Sequence, residues 1–150
     1  MNGKWILLPL VALFLSTACL EARAADDSRR SKGEAVINEL SGGAGQPVLQ
    51  AMHEDFPFLA GAITDYALGD VWGRSELDAR TRQLATVAVF AAQGNLAQMK
   101  IHAGYALRGG VKPAELKEMI YLTTVTSGFP RAIDAAQALR EVLAAHQPAP

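Results

Sequence analysis

From Pro57 onward, apolar residues recur every three and four positions, and no run shows the sustained alternation of a strand. The pattern predicts helices throughout. Pro57 suits a first helical turn, and Leu59, Ala62, Ile63 and Tyr66 follow as one stripe. Gly69–Arg74 reads as a loop holding Trp72 and Arg74. Ser75, with Asp78 three residues on, resembles a capping box that opens a long helix reaching Gln93. Leu84, Val87, Ala88 and Ala91 are its stripe. Ala85, Val89, Phe90 and Ala92 make it apolar nearly all round, which suits the centre of a bundle or a subunit interface. Beyond Gly110, Pro113 starts a helix with Leu116, Met119, Ile120 and Thr123 inward and Glu115 near its N-terminus. Ser127-Gly128-Phe129 breaks the chain. A last helix from Pro130 turns Ala132, Ala135, Ala136, Leu139, Val142 and Leu143 to the core.

Between the two glycine stops, Gly94 and Gly109-Gly110, lies the segment with the most informative polar pattern. Asn95 is placed to cap this helix, with Gln98 at the partner position. Asn95, Gln98, His102 and Tyr105 share one face, while Leu96, Met99, Ala103, Ala106 and Leu107 supply core contacts. On the residues alone, His102 is either a histidine satisfied by a neighbouring carbonyl or the chemical centre of a site.

The first half of the chain reads differently. Lys4, the apolar run Ile6–Leu15 and Ala22-Arg23-Ala24 form a signal-peptide pattern, predicting cleavage after Ala24 and export to a periplasm or beyond. Leu15–Cys19 loosely resembles a lipoprotein box, a less favoured route that would acylate Cys19. Residues 25–45 read as a flexible lead-in: a disordered polar stretch to Gly33, a short helix over Glu34–Leu40, and a glycine-rich break. A short segment from Pro47 carries His53, Glu54 and Asp55, which read as a solvated helix end because adjacent helical residues diverge.

Removal of 1–24 leaves 126 residues, enough for one domain, with a formal charge of −2 against −1 for the whole chain. That balance gives no electrostatic footprint for nucleic acid, and no membrane association is expected once the signal is gone. The single cysteine leaves with the signal, so the mature protein has neither disulfide nor thiol chemistry.

The segments VWGRSELDARTRQLATVAVFAAQGN, KIHAGYALRGGVKPAELKEMI and SGFPRAIDAAQAL, within Val71–Ala138, resemble the carboxymuconolactone decarboxylase family and its alkylhydroperoxidase D-like relatives. The resemblance implies an all-α compact bundle of about six helices over residues 46–146, followed by a short tail, assembled as a homotrimer or homohexamer. In the peroxidase branch a Cys-x-x-Cys-x-x-x-His helix follows a glutamate. Aligned on His102, this chain has Asn95 and Gln98 in place of the cysteines and Gln83 in place of the glutamate. Amides cannot act as peroxidatic thiols or relay a proton, so thiol peroxidase chemistry is excluded.

The decarboxylase branch keeps the histidine and uses no cofactor. The resemblance therefore implies a small-molecule carboxy-lyase acting on a carboxylated lactone or related acid, with no metal and with His102 as acid/base. Arg74 or Arg82 are candidates to hold a carboxylate, Trp72 to wall the pocket, and Gln98 and Glu118 to complete it. The competing reading is a catalytically inactive oligomeric binding or scaffold protein of the same fold.

Overall fold

Glycine and proline punctuate seven α-helices and one π-helical run in the computed structural model, which describes the backbone of residues 7–146 and the side chains of residues 21–146. In order these are α1 (Leu7–Ser41), α2 (Pro47–Asp55), α3 (Pro57–Ala62), the π-helical run Ile63–Trp72, α4 (Ala79–Gln93), α5 (Leu96–Arg108), α6 (Pro113–Ser127) and α7 (Phe129–His146). No strand occurs among the described residues, so the expected all-α class holds. Over residues 21–146, whose side chains are described, no helix is long and apolar enough to cross a membrane. Lys4 of the expected signal peptide and the 147–150 tail lie outside the described residues.

The chain divides into two compact units. The first runs through Glu39 and takes in Gly43–Arg74; the second comprises Leu40–Gly42 and everything from Ser75.

In the first unit, residues 25–33 are helical, where the sequence pattern suggested a disordered lead-in. The polar composition was misleading because polar contacts and a close backbone approach hold this part of α1. Arg29 Nε donates to Asp70 at 2.8 Å, and Arg30 pairs with Asp65 through two hydrogen bonds of 3.1 and 3.0 Å. Gly33 is buried against the π-helical run; a Cβ there would meet the Thr64 carbonyl oxygen at 2.0 Å. Gly69 makes the reciprocal approach: a Cβ there would meet the Arg29 carbonyl oxygen at 2.3 Å. Glycine at both crossings lets two backbones meet where any side chain would separate them.

The π-helical run also corrects the expected stripe. Tyr66 is 62% exposed and Leu59 46% exposed, whereas Ala60, Thr64 and Leu68 are buried. The wider winding, seen in the Gly73 N–H donating to the Leu68 carbonyl at 2.9 Å, moves the inward face off the α-helical register. It also draws Gly69–Trp72 out of the expected loop and into the helix.

The second unit follows its sequence closely. Asp78, rather than Ser75, caps α4, accepting from the Thr81 N–H at 2.9 Å. Gly94 closes α4 in the left-handed region at φ 73°, where a residue with a Cβ would be strained. Asn95 caps α5, accepting from the Gln98 N–H at 3.4 Å. Pro113 opens α6, whose Glu115 accepts the Lys112 N–H at 2.9 Å and also pairs with Arg80.

The core of this unit joins Val87 and Ala91 of α4, Met99, Ala103, Ala106 and Leu107 of α5, Leu116 and Ile120 of α6, and Ala132, Ala135, Ala138 and Leu139 of α7. Small alanines at the contacts let α4, α5, α6 and α7 approach closely. Ala136 faces outward, against expectation, and Ala138 takes an inward position. Val89 is 52% exposed, so α4 has one apolar side the unit itself does not cover.

Candidate active site

The site is built from one turn of α4 and the middle of α5. On α4, Gln83, Val87 and Ala91 recur every four residues and are all buried. Gln83 thus sits in line with core residues, at 2% exposure. On α5 the polar strip runs from exposed Asn95 through half-buried Gln98 and His102 to buried Tyr105. The strip is a gradient from water to core, and His102 lies at its partly enclosed section.

Gln83 and His102 meet: the Gln83 amide oxygen lies 3.0 Å from Nδ1 of the imidazole. Two rings flank that imidazole. Phe90 is 5.4 Å away between centroids in a tilted arrangement, and Tyr105 is edge-on at 5.6 Å. Arg108, with its guanidinium carbon 5.1 Å from the Tyr105 ring centre, extends the aromatic contact toward the surface and donates to the Leu40 carbonyl at 3.2 Å. Burial pushes the His102 pKa down to about 4, because the enclosed ring loses the water that would solvate its charge. At neutral pH the imidazole is therefore neutral, with one nitrogen carrying a proton and the other a lone pair.

The other candidate residues lie on α4, α5 and α6 and at the end of the first unit. Gln98 lies one helical turn before His102 on the same face. Arg82 precedes Gln83 on α4, and its guanidinium donates to the Leu77 carbonyl at 3.0 Å. Glu118 is exposed on α6. Trp72, half-buried, and Arg74, exposed, end the first unit.

Sequence reasoning set Gln83 aside as a lost glutamate and treated Phe90 only as apolar surface. The signal for Gln83 was its register: a glutamine four and eight residues before Val87 and Ala91 must share their burial.

Among the described residues, two cavities lie away from this cluster. One of about 430 Å³ in the first unit is lined in part by Arg30, Glu34, Gln50, His53 and Thr64. One of about 350 Å³ lies between α6 and α7, with Ile120, Leu139 and Leu143 as its floor and Lys117 and Arg140 beside it. His53, Glu54 and Asp55 are exposed, and among the described residues no three acidic, histidine or cysteine side chains gather as metal ligands would.

Residues 57–141, which contain the whole Gln83–His102 cluster, match the Carboxymuconolactone decarboxylase family. The chain is 31% identical over 121 residues to the 4-carboxymuconolactone decarboxylase of Acinetobacter baylyi, covering 78% of this chain and 88% of that one. It is 33% identical over 73 residues to the nitrosuccinic acid decarboxylase of Metarhizium robertsii, about half of each protein. The matched span and the extent of the first likeness show that this chain belongs to the carboxymuconolactone decarboxylase family.

Proposed function

We propose that this protein is an exported, cofactor-free carboxy-lyase that acts on a small carboxylated lactone or related acid, with His102 as its acid/base. The observation that carries the reading is the half-buried, neutral imidazole held against Gln83 in an otherwise apolar setting. The two named relatives add chemical support, since each decarboxylates a small acid.

Decarboxylation breaks a C–C bond and leaves its electron pair behind. In a conjugated lactone the pair is delocalised onto the carbonyl oxygen, CO2 departs, and a proton restores the pair to carbon. Each turnover consumes one proton. A resting imidazole with a pKa of about 4 does not hold that proton at neutral pH. An anionic substrate beside the ring favours the imidazolium, offsets the burial, and lets His102 take a proton from water on binding. The ring then gives it to carbon and returns to neutral. In this reading Gln98, on the same face as His102, hydrogen-bonds a substrate oxygen, and Arg74, Arg82, Trp72 and Glu118 are the candidates to bind its carboxylate.

Two apolar features support assembly as a homotrimer or homohexamer. Leu122, Val125, Phe129 and Ile133 are each more than half exposed along α6 and α7, and Val89 adds an uncovered patch on α4. Export rests on Lys4, the Ile6–Leu15 run and the Ala22–Ala24 signal.

The decisive experiment follows CO2 release from a panel of carboxylated lactones and small dicarboxylic acids, with wild type and His102→Ala in parallel. The expected result is turnover by the wild type and a loss of about 10²–10⁴-fold in the variant. Equal rates would remove His102 from the mechanism. Silence across the panel would favour an inactive binding or scaffold protein. Light scattering reads the oligomer, and N-terminal sequencing of exported protein reads the cleavage after Ala24.

A further inference from the structure

We propose that Gln83 is the positioning residue of this site: its amide oxygen fixes His102 as the Nδ1–H tautomer, so that Nε2 presents the lone pair that receives and returns the proton. The inference rests on His102 acting as acid/base, and it adds which nitrogen acts and what selects it.

The geometry carries it in four steps. An amide oxygen has no hydrogen to give, so at 3.0 Å the contact exists only if Nδ1 is the donor. A neutral imidazole has one proton, and once it sits on Nδ1 the lone pair is on Nε2. Gln83 cannot readily swing away, since it is 2% exposed and aligned with Val87 and Ala91 at the packed face of α4. The ring is restrained as well, with Phe90 tilted against it and Tyr105 edge-on.

The cost of the arrangement is the strongest sign that it does more than fill space. The Gln83 amide nitrogen is buried with no hydrogen-bond partner. Leaving a buried donor unmatched is unfavourable, and a leucine or methionine of similar volume would fill the same place without that penalty. Packing alone gives no reason for a glutamine here. Holding an imidazole in one tautomer does. A carboxylate at this position would also accept from Nδ1–H, but its charge would favour the imidazolium. The amide orients the ring while leaving it neutral until a charged substrate arrives.

Nitrogen-15 NMR of the full chain labelled at histidine tests this directly. Only His53, His102 and His146 contribute, and His102→Gln identifies the resonance of interest. In the wild type at neutral pH the expected ring is neutral with its proton on Nδ1. In Gln83→Leu, that proton loses its acceptor, and the population moves to the Nε2–H form. On a substrate found in the panel above, kcat falls on the order of a hundredfold in this variant while KM holds. In Gln83→Glu, Nδ1 keeps its proton and the ring titrates well above its wild-type value.

A wild-type ring with a bare Nδ1, or a tautomer unchanged in Gln83→Leu, would overturn the inference. Should Gln83→Leu fail to fold, the wild-type spectrum and Gln83→Glu decide alone. The readouts also separate the two proposals. The expected tautomer in a protein that decarboxylates nothing would sink the lyase and leave Gln83 in its role. Turnover with a bare Nδ1 would do the reverse.

Discussion

The two units solve the same problem, holding helices together, by unlike means. The second packs four helices through buried alanines and a few larger side chains, Met99, Leu116 and Val87 being fully enclosed. The first relies on glycine crossings and on ion pairs with substantially exposed arginines, with Phe58, Tyr66 and Phe56 turned outward. Burial of apolar area is written in the periodicity of a sequence. A contact made by the absence of a side chain is not. The difference also assigns stability, because buried carbon is worth far more per residue than an exposed ion pair.

That contrast can be broken most forcefully in the second unit. Leu116→Ala removes a fully buried side chain at the centre of the cluster and is expected to cost about 2–5 kcal/mol, read as a lowered denaturation midpoint. A smaller loss would mean the alanine-lined core collapses to fill the space.

Acidification probes the same unit through His102. Its folded pKa, near 4, lies below the ordinary value of 6.5. Between those limits the unfolded chain binds more protons, so the contribution is present in full above about pH 6.5. It is lost as the pH falls toward 4, by up to about 3 kcal/mol. Denaturation series at several pH values should show this slope in the wild type and a shallower one in His102→Gln.

In the first unit, Gly33→Ala drives a methyl group into the Thr64 carbonyl and is expected to cost about 1–3 kcal/mol. Hydrogen exchange should quicken along α1 and the π-helical run and stay unchanged in α4–α7. Quickening in both units would show them to be energetically one.

The smallest effect belongs to Arg30→Ala. Its pair with Asp65 joins a largely exposed guanidinium to a less exposed carboxylate, so less than about 1 kcal/mol is expected, and less still at high salt. A larger, salt-independent loss would show that the pair fixes α1 rather than decorating it.

The same division explains what could be read beforehand. The helices from Ala79 onward, the Asn95 cap, the proline and glycine boundaries and most of the core follow from periodicity and end signals. The face of the Ile63–Trp72 run did not, since its winding changes the period on which such reading depends. Helical order over residues 25–33 was hidden too, because its partners Asp65 and Asp70 lie some forty residues away and no local pattern announces them. His102 was legible as a candidate from its place in a polar strip. Its partner was visible only as a substitution in a family pattern, until the fold brought α4 against α5.

Gln83 has one more consequence, at the level of the genetic code. Glutamine and glutamate codons differ by a single nucleotide, and the two side chains have almost the same shape. The neutral imidazole at His102 therefore stands one point mutation from a charged pair that the surrounding helices would accommodate without repacking. Among variants arising in a population, that step would retune the proton chemistry of the site while leaving the architecture intact.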